Sequence, residues 1–390
     1  MNIDNIRNQI PTIQSSVYMN TGWQGPPPNS VTAAIQARLE YESTTAATSP
    51  EVLESGKEIK LSAREAVANL INASTDEIAL TQNTTHGLAI VLAGLPWEAG
   101  DEVITFDIEH NAVLLPALNL GRRFGVKTNV LSLAPNEAPE TIVDKVEQAI
   151  TDRTRLVFFS HIQYATGLRM PVEAIRDVTN QNGVWMLLDG AQTPGHIKLD
   201  MQELGVDFYS IPGQKWLLGP QGTGALYIRE SAIPLVEPVL AASQFLATDE
   251  DHGELEEPNH TLITKFNLGT TSPALAAGFE AGIKFIQEIG ATEIEERNKK
   301  LALDLKIRLS NMHGITVYSP FNPDTSSGLV TFSIDGSDPE SSVEKLWNNN
   351  RIVGRKVAKP AGIRLALDFF NTEEEIEIVC EAIRELSQGR

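Results

Sequence analysis

The stretch VWMLLDGAQ, residues Val184 to Gln192, and the stretch SIPGQKWLLGPQGTGALYI, residues Ser210 to Ile228, together decide the fold. The first is an apolar run closed by Asp189. The second carries Lys215, 26 residues later, in a glycine-rich loop that leads into another apolar run. Runs of four to six residues that are apolar at nearly every position suit strands covered by helices on both faces. Similar runs recur on either side: IALT from Ile78, VITF from Val103, VLSL from Val130, LVFFS from Leu156 and TGALYI from Thr223. The segments between them have helical periodicity and are long enough for crossover helices, which predicts an α/β fold with a mainly parallel sheet. PPPNS at Pro26 to Ser30 reads as the stop before a helix.

Towards the C-terminus the pattern changes. A charged helical stretch, ATEIEERNKKLALDLKIRLS, precedes the short runs GLVTFSI and GIRLALDF, and a closing helix is predicted from about Thr372. This reads as a smaller α+β domain. The expected division is an N-terminal segment 1–20, a large domain 21–285 and a small C-terminal domain 286–390.

The 390 residues, 42% hydrophobic and 21% charged, have the composition of a globular protein able to bury a large core. A formal net charge of −20 repels phosphate backbones and anionic membrane surfaces, so neither nucleic acid nor membrane is an expected partner. Six of the nine residues from Asp249 to Glu257 are acidic and read as a solvated loop. The one cysteine, Cys380, can form neither an internal disulfide nor a thiolate metal site. The N-terminal residues lack the basic flank and apolar stretch of a signal peptide. No apolar run approaches the ~18 residues of a membrane helix, and a cytoplasmic protein is expected.

The chemistry starts from Asp189 and Lys215. Ligands of open α/β sheets sit at the carboxyl ends of the strands, where a strand-ending aspartate belongs. Lys215 is followed by Trp216, Leu217 and Leu218, and a lysine among apolar groups is desolvated, which lowers its pKa and makes it a Schiff-base nucleophile. Alone, each residue has an ordinary reading: a strand end and a surface charge. In IALTQNTTHGLAIVLAGL, a strand turns through Asn83, Thr84, Thr85, His86 and Gly87 into an apolar helix, whose free N–H groups suit a phosphate. By itself that pattern is a threonine cap. Taken together, the cup, the aspartate and the lysine are the set required by pyridoxal phosphate.

The order NTTHG, EHNAVLLP, SHIQYATG, LLDGAQTPGH, GQKWLLGPQGTGALYI, NLGTTSPA and GIRLALDFFNTEEEI resembles the class V aminotransferase family of fold type I pyridoxal phosphate enzymes. The likeness covers nearly the whole chain. Within the family it leans towards cystine and cysteine C–S lyases, with cysteine desulfurases and the isopenicillin N epimerase group further off. The resemblance implies a large domain with a seven-stranded-type sheet and a homodimer whose active sites are shared.

It also implies roles for individual residues. Lys215 would hold the cofactor aldehyde and then move the Cα proton. Asp189 would keep the pyridine nitrogen protonated, and Gln192 would donate to the phenolate oxygen. His110 would stack on the ring, its other reading being a helix-capping or core histidine. Thr84, Thr85 and Gln214 would hold the phosphate, with Thr270 reaching the neighbouring subunit's phosphate. Arg364 would clamp the substrate carboxylate, the alternative being a surface ion pair. Two positions depart from the family pattern. Pro212 stands where a Ser or Thr usually contacts phosphate, leaving Ser210 as the candidate donor. Tyr164 stands near the substrate carboxylate in place of Asn or Trp and, with Trp23, suggests a remodelled pocket.

The segment RIVGRKVAKPAGIR before Arg364 contains no cysteine, and Cys380 falls within the last helix pattern, so a persulfide-carrying desulfurase is disfavoured. The expected reaction is β-elimination from a cystine- or cysteine-type substrate. The alternatives are β/γ-elimination or cyclisation of another amino acid, basic or hydroxylated, transamination, epimerisation, and a non-catalytic cofactor-binding protein. No metal-binding spacing, GxSxG elbow or dinucleotide fingerprint in the right context occurs.

Overall fold

The computed structural model of the chain describes residues 1–241 and 260–388. The acidic stretch from Asp249 to Glu257 lies outside the described residues. Seven strands form the central sheet in the order Ile78–Thr81, Gly224–Ile228, Phe208–Pro212, Trp185–Asp189, Thr154–Ser160, Glu102–Phe106 and Lys127–Leu131. Only Gly224–Ile228 runs antiparallel to its neighbours. The alternating geometry of a strand explains why its apolar runs are continuous. Val157, Phe159, Met186 and Leu188 enter one core, whereas Leu156, Phe158 and Leu187 enter the other on the opposite face.

Two strands differ from the sequence reading. The run expected from Val130 is instead Lys127–Leu131, an edge strand whose residues are exposed or half-buried and therefore carry little apolar signal. Phe208–Pro212, which the apolar pattern does not single out because FYSIP contains a serine and a proline, is fully buried beside the Asp189 strand.

A second sheet, all antiparallel, runs Arg355–Ala358, Ala361–Ala366, Leu329–Ile334 and Ile315–Val317. It shares a core with the helices Ala291–Ser310 and Glu373–Ser387 through Leu301, Leu305, Phe332, Leu365 and Ile383. The last helix starts where its capping box dictates: the Thr372 side chain accepts from Glu375 N, and the Glu375 carboxylate accepts from Thr372 N. Cys380 lies in this core, 4% exposed.

The N-terminal segment joins the two halves. Ile6, Ile10 and Ile13 pack into the large core, while Val17–Tyr18 pairs in parallel with Ile352–Val353 and Asn20 bridges Ala366. That path delivers Gly22 and Trp23 to the space between the sheets. Among the described residues no helix is long and apolar enough to cross a membrane, and no cluster of potential metal ligands occurs.

Candidate active site

Asp189 closes its strand in register with Ser160 on one side and Ser210 on the other, and is 2% exposed. One carboxylate oxygen accepts from Ala191 N at 2.7 Å. Lys215 follows the neighbouring strand in a loop fixed by hydrogen bonds from Leu218 N to Lys215 O (3.0 Å) and from Gly25 N to Gln214 O (2.7 Å). Trp216, Leu217 and Leu218 are buried around it, as their sequence suggests, while the lysine itself stays partly accessible because it faces a cavity. Burial pushes its ammonium down to about 8. Asp189 opposes that shift, and Arg364 and Arg355 add to it. Burial raises the Asp189 carboxyl, while Lys215 and the Ala191 N–H lower it. The two residues therefore offset each other's charge in a poorly solvated space.

The cavity, about 290 Å³, opens at the carboxyl ends of the strands and is lined by both residues. Thr84 and Thr85 line it as the first two residues of the helix Thr84–Gly94. The cap of that helix is Asn83, whose side chain accepts from His86 N at 2.9 Å, and not a threonine. The two threonines thus sit at the helix start, where backbone N–H groups have no partner within the helix. Gln214 also lines the cavity, and its Oε1 is buried without a hydrogen-bond partner.

Of the residues expected in this cup, Ser210 lies elsewhere, while Thr270, expected to reach a neighbouring subunit's phosphate, does not line this cavity. Ser210 is fully buried and its hydroxyl donates to Thr84 O at 2.8 Å, so it braces the helix start from behind and does not line the cavity. Its side chain packs against Gly87, under the first turn of that helix. Thr270 is exposed and lines a separate cleft with Thr271, Ser272 and Phe279.

His110, Tyr164, Gly22, Trp23 and Arg364 also line the cavity. His110 combines both readings: its Nδ1 caps the helix Asn111–Phe124 by accepting from Ala112 N, and its ring lines the cavity edge-on to Tyr164, 5.0 Å between centroids. Burial and the nearby Lys215, Arg355 and Arg364 push it down to about 4, so it is neutral. Arg364 is 1% exposed and makes no ion pair among the described residues, unlike a surface arginine. Its Nη1 donates to Tyr164 O at 2.7 Å, while Nε and Nη2 are buried without partners. Burial and the adjacent Arg355 guanidinium lower it to about 9, still protonated at neutral pH.

Sequence reasoning missed two groups. Arg355 lines the cavity with its guanidinium 4.3 Å from the Trp23 ring centroid, and is the register partner of Arg364. The signal was present, since reading RKVAKPAGIR as a hairpin turning at Lys359 and Pro360 places the two arginines side by side. Glu109, adjacent to His110, is buried and accepts from Ser160 N (3.0 Å), Ser160 Oγ (2.5 Å) and Gln163 Nε2 (2.6 Å). Burial pushes it up to about 7 against those three donors.

Comparisons with known proteins agree with this geometry. The family model described as aminotransferase class-V matches residues 25–379. A probable cysteine desulfurase of Methanothermobacter thermautotrophicus is 31% identical over 99% of this chain and 98% of its own length. The isopenicillin N epimerase of Amycolatopsis lactamdurans is 29% identical, covering 98% of each chain. Among solved structures, the cystine C–S lyase C-DES in complex with its reaction product cysteine persulfide superposes with a TM-score of 0.91 at 28% identity, over 97% of this chain and 99% of that one. With the family pattern spanning both sheets and all of the cavity lining except Gly22 and Trp23, the chain belongs to the class V aminotransferase family.

Proposed function

We propose that this protein is a pyridoxal 5′-phosphate-dependent lyase that breaks a C–S bond of a cystine- or cysteine-type amino acid by β-elimination. The observation that carries the reading is one cavity joining a buried aspartate, a lysine of lowered pKa and an arginine with two unpaired nitrogens. The residues present fit the cofactor. The donors at the helix start suit its phosphate, Gln214, whose Nε2 can donate, lines the same cavity, and Asp189 is the buried anion that a pyridinium requires.

When bound, pyridoxal phosphate supplies an aldehyde that captures the substrate's amino group and a ring that takes up the electron pair left at Cα. Lys215 would hold that aldehyde carbon, and Asp189 would keep the proton on the ring nitrogen. His110, neutral and open to the cavity, provides a ring face without adding charge. Arg364 binds the substrate carboxylate through its unpaired nitrogens. Arg355 offers a second guanidinium, which suits the second carboxylate of cystine.

Lys215 Nζ would accept the Cα proton, and the burial that lowers its pKa to about 8 in the cofactor-free chain favours the free amine this role needs. The Cβ–S bond then breaks and its electron pair leaves with sulfur, as a persulfide from cystine or as sulfide from cysteine. Water hydrolyses the three-carbon remainder to pyruvate and ammonia. No protein nucleophile is needed. Cys380 does not line the cavity, and burial pushes its thiol up to about 11, so the persulfide is released and not carried on the protein. The similarities to C-DES and to the probable cysteine desulfurase both support C–S cleavage, and the absence of a cysteine from RIVGRKVAKPAGIR favours the lyase course.

We further propose a cytoplasmic homodimer in which Thr270, exposed in its own chain, completes the neighbouring cup. Sedimentation of a fully active monomer would refute that arrangement. The reaction is tested by a panel of amino acids assayed for pyruvate, sulfur release and Cα deuterium exchange. Pyruvate and persulfide from cystine support the lyase. Keto acid formed only with a second keto acid present indicates transamination, and exchange confined to basic or hydroxylated amino acids with cystine inert rules the lyase out.

A further inference from the structure

From Gly22 and Gln192 in the cavity wall to Trp216, His196 and Gly328 behind it, five residues form a hydrogen-bonded network whose polarity is fixed at every link. Gly328 N donates to His196 Nε2 at 2.8 Å, so the imidazole proton resides on Nδ1, which donates to Gln192 O at 2.7 Å. The His196 ring lies face to face on the Trp216 indole, 3.7 Å between centroids with 13° between planes. Trp216 Nε1 donates to Gln192 Oε1 at 2.9 Å, and Gln192 Nε2 donates to Gly22 O, also at 2.9 Å. An indole N–H can only donate and a backbone carbonyl can only accept. Flipping the Gln192 amide would therefore set donor against donor at Trp216 and acceptor against acceptor at Gly22. Trp216 and His196 are buried and do not line the cavity, so water could not relieve the mismatch at the indole N–H. The site is also tightly closed, since a Cβ on Gly22 would lie 2.9 Å from Gln192 Oε1.

We propose that Trp216, backed by His196, is a positioning residue that fixes the polarity of the Gln192 amide, so that Gln192 presents an N–H and not its carbonyl to the cavity. Nε2 has two hydrogens and Gly22 O takes one, which leaves the other for a ligand. The inference rests on the reading above, in which Gln192 donates to the phenolate oxygen of pyridoxal phosphate. A donor there stabilises the anionic oxygen, so its loss raises the pH at which the visible band of the bound cofactor titrates.

The experiment compares the band and its pH midpoint in the holoenzyme, in Gln192→Leu, in Trp216→Phe, and in a protein with β-(3-benzothienyl)alanine at position 216. The last keeps the bulk and the stack on His196 and removes only the N–H, so it remains informative if Trp216→Phe folds poorly. Both changes at Trp216 should raise the midpoint in the direction of Gln192→Leu, by about half of that shift or more, and should add nothing in the Gln192→Leu background. An unchanged midpoint in the benzothienyl protein, or a shift that adds fully to that of Gln192→Leu, overturns the proposal. If Gln192→Leu leaves the midpoint in place although the cofactor is still bound through Lys215, the donor role of Gln192 and the proposal fall together, and the lyase reading stands. A holoprotein preparation that takes up no pyridoxal phosphate overturns both.

Discussion

Asp189 and Lys215, on successive strand ends of the central sheet, line one cavity and offset each other's charge, the carboxyl raised and the ammonium lowered by the same burial. A pair of this kind is poised for a ligand that brings its own positive charge to the aspartate.

Replacing the aspartate therefore separates chemistry from folding. Asp189→Asn should slow Cα proton exchange of substrate by roughly 10²-fold or more, the usual scale for removing one preorganised electrostatic partner. Its thermal midpoint should stay close to that of the parent, because the change removes a buried charge while keeping the shape. Proton exchange in heavy water followed by NMR, beside a melting curve, checks both.

The two arginines should differ in kind. Arg364→Ala removes a buried guanidinium with unpaired nitrogens and should cost about 2–5 kcal/mol in substrate binding, read as a raised KM for every amino acid substrate. Arg355→Ala should act mainly on cystine, which has two carboxylates, and leave the KM for cysteine nearly unchanged. An equal effect of Arg355→Ala on both substrates would contradict its assignment to the second carboxylate.

Lys215 also has a signature in the cofactor-free protein. Its folded pKa of about 8 lies below its unfolded value of ~10.4, so the unfolded chain binds more protons between those values and stability rises with pH across that window. Below about 8 both states are protonated and the cost of the buried charge is present in full. Lys215→Met should therefore stabilise the cofactor-free protein at pH 7, and this advantage should shrink as pH rises from about 8 towards 10. Urea melts of the two proteins at several pH values test this, and the other buried lysines, Lys265 and Lys306, cancel in the difference.

Cys380 should be dispensable. Cys380→Ala should cost about 1 kcal/mol of stability through lost packing in the small core, with pyruvate release from cystine unchanged. Loss of turnover in a folded Cys380→Ala protein would point to sulfur carried on the protein.

What could be read from the sequence follows from where the information is stored. Asp189, Lys215 and the Thr84–Thr85 helix start were legible because each belongs to a local pattern: an apolar strand with its end, or a strand turning into a helix. Arg355 is legible only through the hairpin that turns at Lys359 and Pro360 and pairs it with Arg364, while its contact with Trp23, which arrives from the other end of the chain, leaves no local signal. Ser210 is the hydroxyl nearest to Pro212 in sequence, but it lies two residues further back in the strand, where the first turn of the helix covers it and its hydroxyl donates to Thr84 O. The strand Phe208–Pro212 was overlooked because its burial comes from neighbours on both sides and not from an apolar composition. Glu109 carries no local signal at all, since its three donors come from Ser160 and Gln163, about fifty residues away.

The central claim, that the cavity around Lys215 is a pyridoxal phosphate site, is tested most directly by reductive trapping. The protein is loaded with pyridoxal phosphate, reduced with borohydride, digested, and its labelled peptide sequenced. The account predicts a yellow protein whose colour is lost on reduction, with one phosphopyridoxyl group on Lys215 in the peptide carrying GQKWLLGPQGTGALYI. Label on a different lysine, or no label in a folded protein, would contradict it.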